Sequence, residues 1–377
     1  MIINASVLKN QEYVAFRLRD LYRAYGYAQF KMSKFEEYDL YARNKDFLVS
    51  DSVITFTDTD GKLMALKPDV TLSIVKNTKD SVGLQKLYYD ENVYRISGSS
   101  RTYREIMQTG LECIGDIDEY AVCEVLTLAA ESLARISSDY VLDISQLDIL
   151  ACVLDSLAVD EKTRAELLIA VGEKNLHGLR ALCEGVGADS AKTELLCSLV
   201  SLCGKPEKAL ADLHALLDGT AAASLLAGFE RIISALVELG YGDRIRVDFS
   251  VIDDMKYYNG IVFKGFINGV PTDVLSGGAY DRLMQKMGRR AGAIGFAVYL
   301  DLLERLTEDR PEYDVHTVLL YDKDIPLAAL TRAVQEINQA RRNAVGGDSV
   351  LAVTQPPQGV RYKRMLRLSA EGMEEIK

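Results

Sequence analysis

Arg104-Glu-Ile-Met-Gln-Thr-Gly-Leu-Glu-Cys-Ile114 is the stretch on which the reading of this chain turns. Its residues alternate: Arg104, Ile106, Gln108, Gly110 and Glu112 share one face of a strand, while Met107, Leu111 and Cys113 put apolar groups on the other. Gln108 and Glu112 are separated by about 13 Å along such a strand, so side chains leaning inward from both can bracket a small polar ligand. Gly110 between them leaves a floor without a side chain. A half-solvated antiparallel sheet would give the same alternation, and the stretch alone does not separate the two readings.

Working outward, residues 85–96 read as a partner strand joined through the polar loop Ser97-Gly-Ser-Ser-Arg-Thr-Tyr103. Residues 119–136 carry Val122, Val125, Leu126, Ala129, Leu133 and Ile136 on one stripe and predict an amphipathic helix. Toward the N-terminus, residues 11–25 have helical spacing and end at Gly26, and residues 53–57 and 63–66 flank Asp60-Gly61 as a hairpin. Residues 146–240 are rich in Leu, Ala and Glu and read as an all-helical insertion. Strand patterns return at 244–251 and 257–267, and the apolar run from Ala291 predicts a helix to about Leu306. After Pro311 come a strand at 315–321, a helix at 326–342 and strands near 349–354 and 362–368. Grouped strands without regular βαβ alternation give an α+β class. The expected organisation is a core over 1–310, with 146–240 as its insertion, and a small C-terminal α/β module over 311–377.

Composition narrows the function classes. The 377 residues carry a net charge of −11, which disfavours a general polyanion binder, and 48% hydrophobic with 26% charged residues mark a folded soluble protein. The first twenty residues intersperse Lys9, Glu12, Arg17 and Arg19 among apolar ones, unlike a secretory signal, so a cytoplasmic location is expected. Cys113, Cys123, Cys152, Cys183, Cys197 and Cys203 form no C-x-x-C pair, and His177, His214 and His316 lack metal-ligand spacing, so neither metal nor cofactor is expected. Arg361, Lys363, Arg364 and Arg367 form a local basic cluster that reads as a solvated strand face.

Taken singly, the remaining polar motifs are weak, but their order is specific. Lys67-Pro-Asp-Val-Thr71, Tyr94-Arg95, Arg101-Thr-Tyr-Arg-Glu105, Gln108-Thr-Gly-Leu-Glu112, Tyr257-Tyr-Asn-Gly-Ile-Val-Phe263, Gly277-Gly-Ala-Tyr-Asp281 and Gly295-Phe-Ala297 together resemble the histidyl-tRNA synthetase family over about residues 10–310. The resemblance implies a class II synthetase-like antiparallel sheet flanked by helices. It also implies a histidine pocket: Asp69 for the α-ammonium with Thr71 and Gln108 beside it, Glu112 and Tyr258 for the imidazole, Tyr257 as lining, and Arg95 opposite the ligand carboxylate.

The departures lie on the nucleotide side. Ser97 replaces an ATP-holding Glu, Ile106 an adenine-stacking Phe, and Leu302 and Asp253 two arginines that stabilise triphosphate and histidyl carboxylate. Losing those cations removes charge stabilisation that phosphoryl chemistry needs. A kept amino-acid site without a nucleotide site resembles the regulatory-subunit family of ATP phosphoribosyltransferase. That resemblance implies a chain without catalysis of its own, a short catalytic subunit as partner in a hetero-octamer, histidine as feedback effector of the first step of histidine biosynthesis, and no tRNA or membrane binding. Two alternatives stay open: an active synthetase with divergent motifs, and an interaction protein whose pocket is vestigial.

Overall fold

The computed structural model describes residues 9–45, 53–79, 83–96, 102–252, 255, 257–305, 313–340 and 349–376. Ser97, Arg101, Asp253, Asp254 and Pro311 lie outside them, as do the last two residues of the helix expected over 326–342. The chain divides into two compact units, Val14–Glu304 and Arg305–Lys377 with Met1–Tyr13.

In the larger unit the decisive stretch is strand β6 (Tyr103–Gly115), hydrogen-bonded along its length to β5 (Gln85–Ile96). On its other side β6 pairs with β12 (Gly292–Tyr299), followed by β11 (Leu275–Ala279), β10 (Asn259–Ile267) and β7 (Tyr140–Gln146), every neighbour antiparallel. β1 (Ala28–Gln29) adds in parallel to β5; at the far edge β9 (Ile245–Asp248) runs parallel to β7, with β8 (Cys203–Gly204) antiparallel beside it. Helices lie before, between and after these strands, which makes the unit α+β.

One face of the sheet packs on α1 (Asn10–Ala24), whose Leu18, Leu21 and Tyr22 are buried, and on α4 (Glu119–Ile136). Asp118 caps α4 by accepting the Ala121 N–H at 2.8 Å, which fixes the start of a helix whose apolar stripe is otherwise continuous. A smaller sheet, β2 (Phe35–Glu37), β4 (Leu63–Leu66) and β3 (Thr55–Thr57) in that order, with α2 (Tyr38–Arg43) following β2, leads through β4 into α3 (Thr71–Asn77), and α11 (Asp281–Lys286) joins β11 to β12. Helices α5 (Leu147–Ser156), α6 (Glu161–Gly172), α7 (Leu176–Gly185), α8 (Ser190–Ser201), α9 (Pro206–Leu217) and α10 (Ala223–Leu236) fill the stretch read as helical. Asp160, Asn175 and Asp189 cap α6, α7 and α8, and Pro206 opens α9, so the polar punctuation of the sequence sets these boundaries. The stretch is not purely helical, because Cys203–Gly204 pairs with β9 at the sheet edge.

The helix expected from Ala291 to Leu306 is absent. Residues 292–299 form β12 instead, and only Leu300–Arg305 turns into a short 3₁₀ segment. β12 lies inside the sheet with both faces covered, and Ala293, Ile294, Phe296 and Val298 are all buried. A strand buried on both faces reads as an unbroken apolar run, and periodicity does not distinguish that from a buried helix. Burial also settles the β6 ambiguity: Gln108 and Glu112 are 3% and 2% exposed, and Leu111 and Cys113 on the opposite face are fully buried. The polar face is interior from Gln108 onward, while Arg104 at its start is exposed.

In the smaller unit β14 (Val350–Val353), β13 (Val315–Tyr321) and β15 (Tyr362–Ser369) are parallel, and β16 (Gly372–Glu375) returns antiparallel to β15. Helix α12 (Leu327–Ala340) contributes Ala333 and Ile337 to a core with Leu319, Leu366 and Leu368. The basic cluster on β15 is largely paired: Arg361 meets Asp314 at 2.8 Å, Arg364 donates to Thr317 Oγ1 at 3.0 Å, and Arg367 meets Asp322 at 3.2 Å.

Candidate functional site

A cavity of about 380 Å³ opens over the polar face of β6. Asp69, Thr71, Arg95, Gln108, Glu112, Tyr257 and Tyr258, singled out from four separate sequence motifs, all line it. The register explains how. Gln108 and Glu112 face it from β6; β5, hydrogen-bonded alongside, brings Tyr89 and Arg95; the segment between β4 and α3 brings Asp69, and Thr71 is the first residue of α3.

Glu112 is the best-defined group. Its Oε1 accepts from Thr71 Oγ1 at 2.8 Å and its Oε2 from the Tyr280 hydroxyl at 2.7 Å. Both bonds favour the carboxylate, but burial dominates and Asp69 adds like-charge repulsion, which together push Glu112 up to about 8. At neutral pH it therefore holds a proton. Asp69 Oδ1 accepts the Leu72 N–H at 2.8 Å, and burial raises this carboxyl too, against the pull of that bond and of Arg95. Arg95 donates Nε to the Pro68 carbonyl at 2.9 Å. Tyr257 stacks edge-on to Tyr258 with ring centroids 4.5 Å apart and hydrogen-bonds with Thr71. Burial holds the hydroxyls of Tyr89, Tyr257 and Tyr280 well above the usual tyrosine range, so they stay protonated.

The glycines act by close approach. Gly295 stands opposite Glu112, and a Cβ there would overlap the Glu112 carboxylate and the Leu111 carbonyl. Gly110 is not the bare floor expected from the sequence: a Cβ on it would meet the Phe296 carbonyl and lie 2.7 Å from Tyr89 Cζ. The tyrosine of the neighbouring strand already leans over that position.

Among the described residues, six polar contributors escaped the sequence reading, including Tyr89 of β5 and Asp273. Tyr280 sits inside the quoted Gly277-Gly-Ala-Tyr-Asp281, two residues after Gly278 on the same face, which is a usable signal. Ser276 and Tyr299, joined hydroxyl to hydroxyl at 2.7 Å, and Lys264 line the other end. Tyr299 was hidden by the helical reading of β12, since a helical period assigns it the wrong neighbours. Of the positions expected to replace nucleotide-binding groups, Ile106 packs against the core beside the cavity, and Leu302 is not among the lining residues. Among the described residues that line the cavity, the cations are Arg95 and Lys264.

A sequence profile of the family described as histidyl-tRNA synthetase matches residues 5–303. The ATP phosphoribosyltransferase regulatory subunit of Alkaliphilus metalliredigens (strain QYMF) is 30% identical over 295 residues, covering 77% of this chain and 74% of that relative. The chain belongs to the ATP phosphoribosyltransferase regulatory subunit family. This is a histidyl-tRNA synthetase-like family whose members are named as subunits of an enzyme rather than as the catalyst, in agreement with the reading from the missing nucleotide groups. The fold agrees as well. A Bacillus halodurans structure described as an ATP phosphoribosyltransferase regulatory subunit/histidyl-tRNA synthetase superposes with a TM-score of 0.74 at 23% identity, covering 97% of this chain and 96% of that one. A chain of the ATP phosphoribosyl transferase complex from Thermotoga maritima gives 0.60 at 18% identity, covering 77% of this chain and 97% of that one. Among the described residues no helix is long and apolar enough to cross a membrane.

Proposed function

We propose that the cavity is a receptor site for free histidine, and that through it this regulatory subunit confers feedback inhibition on a short ATP phosphoribosyltransferase catalytic subunit. The two chains assemble as a hetero-octamer in the cytoplasm. The observation that carries the reading is the convergence of all seven expected residues on one cavity whose deepest carboxylate, Glu112, is held by two hydroxyl donors. Asp69, with Gln108 nearby, receives the α-ammonium and Arg95 the carboxylate. Glu112 and Tyr258 hold the imidazole. A protonated Glu112 meeting a neutral imidazole shares its proton with the ring, so the pair forms without net proton uptake at neutral pH.

The cavity, about 380 Å³, lies within the range of about 300 to 1,000 Å³ for ligand cavities and has room for a free amino acid. The largely paired state of the basic cluster on β15 gives no support to tRNA binding by that strand. Feedback requires that histidine bind the inhibited assembly more tightly than the active one.

The test is reconstitution with a short catalytic subunit that is inactive alone. Activity should appear on mixing, histidine should suppress it, and Asp69→Ala should abolish suppression while the complex still forms. Feedback unchanged by Asp69→Ala would make the pocket vestigial, and histidine-dependent pyrophosphate exchange by the chain alone would establish a synthetase instead.

A further inference from the structure

Lys67 carries a charge that the proposed binding scheme does not use. Its side chain is fully buried, and its Nζ meets Glu91 Oε2 at 2.9 Å. Burying an ammonium is costly unless it is paired, so a chain that keeps one has a paired partner that fixes its place. Here the partner is on β5, directly opposite Gln108 of β6, and the other Glu91 oxygen accepts the Met32 N–H at 3.5 Å.

The main chain repeats the attachment. The Lys67 N–H donates to the Lys34 carbonyl at 3.1 Å, the Tyr94 N–H donates to the Lys67 carbonyl at 2.8 Å, and Arg95 holds the Pro68 carbonyl. Asp69 follows immediately. Residues 67–69 thus form a strap fastened to β5 by one buried ion pair and two bonds to carbonyls, and the Asp69 carboxylate at its end, which faces the cavity, is tied to the first turn of α3 by the Leu72 N–H.

We propose that Lys67, acting through Glu91, is a positioning residue that sets Asp69 for an α-ammonium group and so gives the site its selectivity for amino acids over their deaminated analogues. The inference rests on the histidine reading and adds to it a residue outside the cavity wall. Without the pair, the strap keeps its backbone bonds and the Leu72 contact of Asp69 but loses the ion pair that fixes its N-terminal end against β5. The ammonium contact should then weaken, while contacts to the ring and carboxylate, made from β6 and β5, persist.

Three probes separate these contacts by calorimetry on the full chain: histidine, imidazolepropionate, which lacks the α-amino group, and histidinol, which lacks the carboxylate. The wild type should prefer histidine to imidazolepropionate by at least about tenfold, the range of a charge-assisted hydrogen bond. Lys67→Met/Glu91→Gln leaves no buried charge; it should bring that ratio within about threefold of unity by weakening histidine and histidinol alike, with imidazolepropionate unchanged. Lys67→Met alone leaves only the partly exposed Glu91, which keeps the Met32 N–H, and should move the ratio the same way; it keeps the test readable if the double variant does not fold. Parallel weakening of all three probes, or an unchanged ratio, overturns the inference and leaves the histidine site standing. A wild type that does not discriminate refutes the histidine reading and the inference together.

Discussion

Varying pH across the range in which Glu112 and the ligand imidazole both titrate gives a quantitative test of the pocket chemistry. Glu112 is pushed up to about 8 by burial, while free imidazole titrates near about 6.5. If the complex holds one proton between them, binding is best at about pH 7, where the free site still carries its proton and the free ligand has lost its own. Below about 6.5 both partners are protonated and one proton must leave; above about 8 both are bare and one must be taken up. The two protonation fractions give an affinity about eightfold lower at about pH 5.5, and about threefold lower at about pH 8.5, than at the optimum. Asp69, itself raised by burial, adds to the loss at acid pH because it must be ionised to receive the α-ammonium. The assay is calorimetric titration of histidine between those limits, on wild type and on Glu112→Gln, which stays neutral throughout. The variant should keep the acid limb and lose the fall between about pH 7.5 and 8.5. A wild-type profile without an optimum, or a variant with the same alkaline limb as the wild type, refutes the reasoning.

Tyr280→Phe removes a donor that favours the Glu112 carboxylate, so the alkaline limb of the same titration should move to higher pH, with Tyr89→Phe as the comparison that leaves this bond in place. Stability of the empty chain should fall as pH rises from about 4.5 to about 8. In that window the folded carboxyl keeps a proton that the unfolded one releases, and one such group contributes at most about 1.4 kcal/mol per pH unit. Thermal melts of Glu112→Gln should lack this component, and a slope equal to wild type would remove Glu112 as its source. Gly295→Ala places a methyl on the Glu112 carboxylate and the Leu111 carbonyl; overpacking of this kind costs about 1–3 kcal/mol, and histidine binding should be lost in a chain whose denaturant midpoint falls accordingly.

Much of the architecture could be read from local pattern because local pattern is where its causes lie. The β5–β6 hairpin and α4 follow from alternation and a helical stripe, and the helix boundaries in 160–206 from their capping residues and Pro206. β12 was misread because a strand covered on both faces has no amphipathic period. β7 and β16 were not anticipated; the first is buried between β10 and β9, and the second is a four-residue exposed edge.

The site was legible residue by residue where motifs carried it, as at Asp69, Gln108 and Glu112. Its pairings were not, since Thr71 to Glu112 spans 41 positions and Tyr280 to Glu112 spans 168. Nor was the crowding over Gly110, which depends on a tyrosine of the adjacent strand. Lys67 shows the same limit from the other side. Nothing local to Lys67 points to its partner Glu91, which lies 24 positions away on β5.

The central claim is that this cavity binds free histidine through Asp69 and Glu112. Titration calorimetry of histidine into the full chain, alone and assembled with the short catalytic subunit, tests it most directly, with Asp69→Ala and Glu112→Ala as the paired variants. The account predicts one saturable site per chain in at least one of the two preparations, lost in both variants. Absence of binding in both preparations, or wild-type affinity in the two variants, would contradict it.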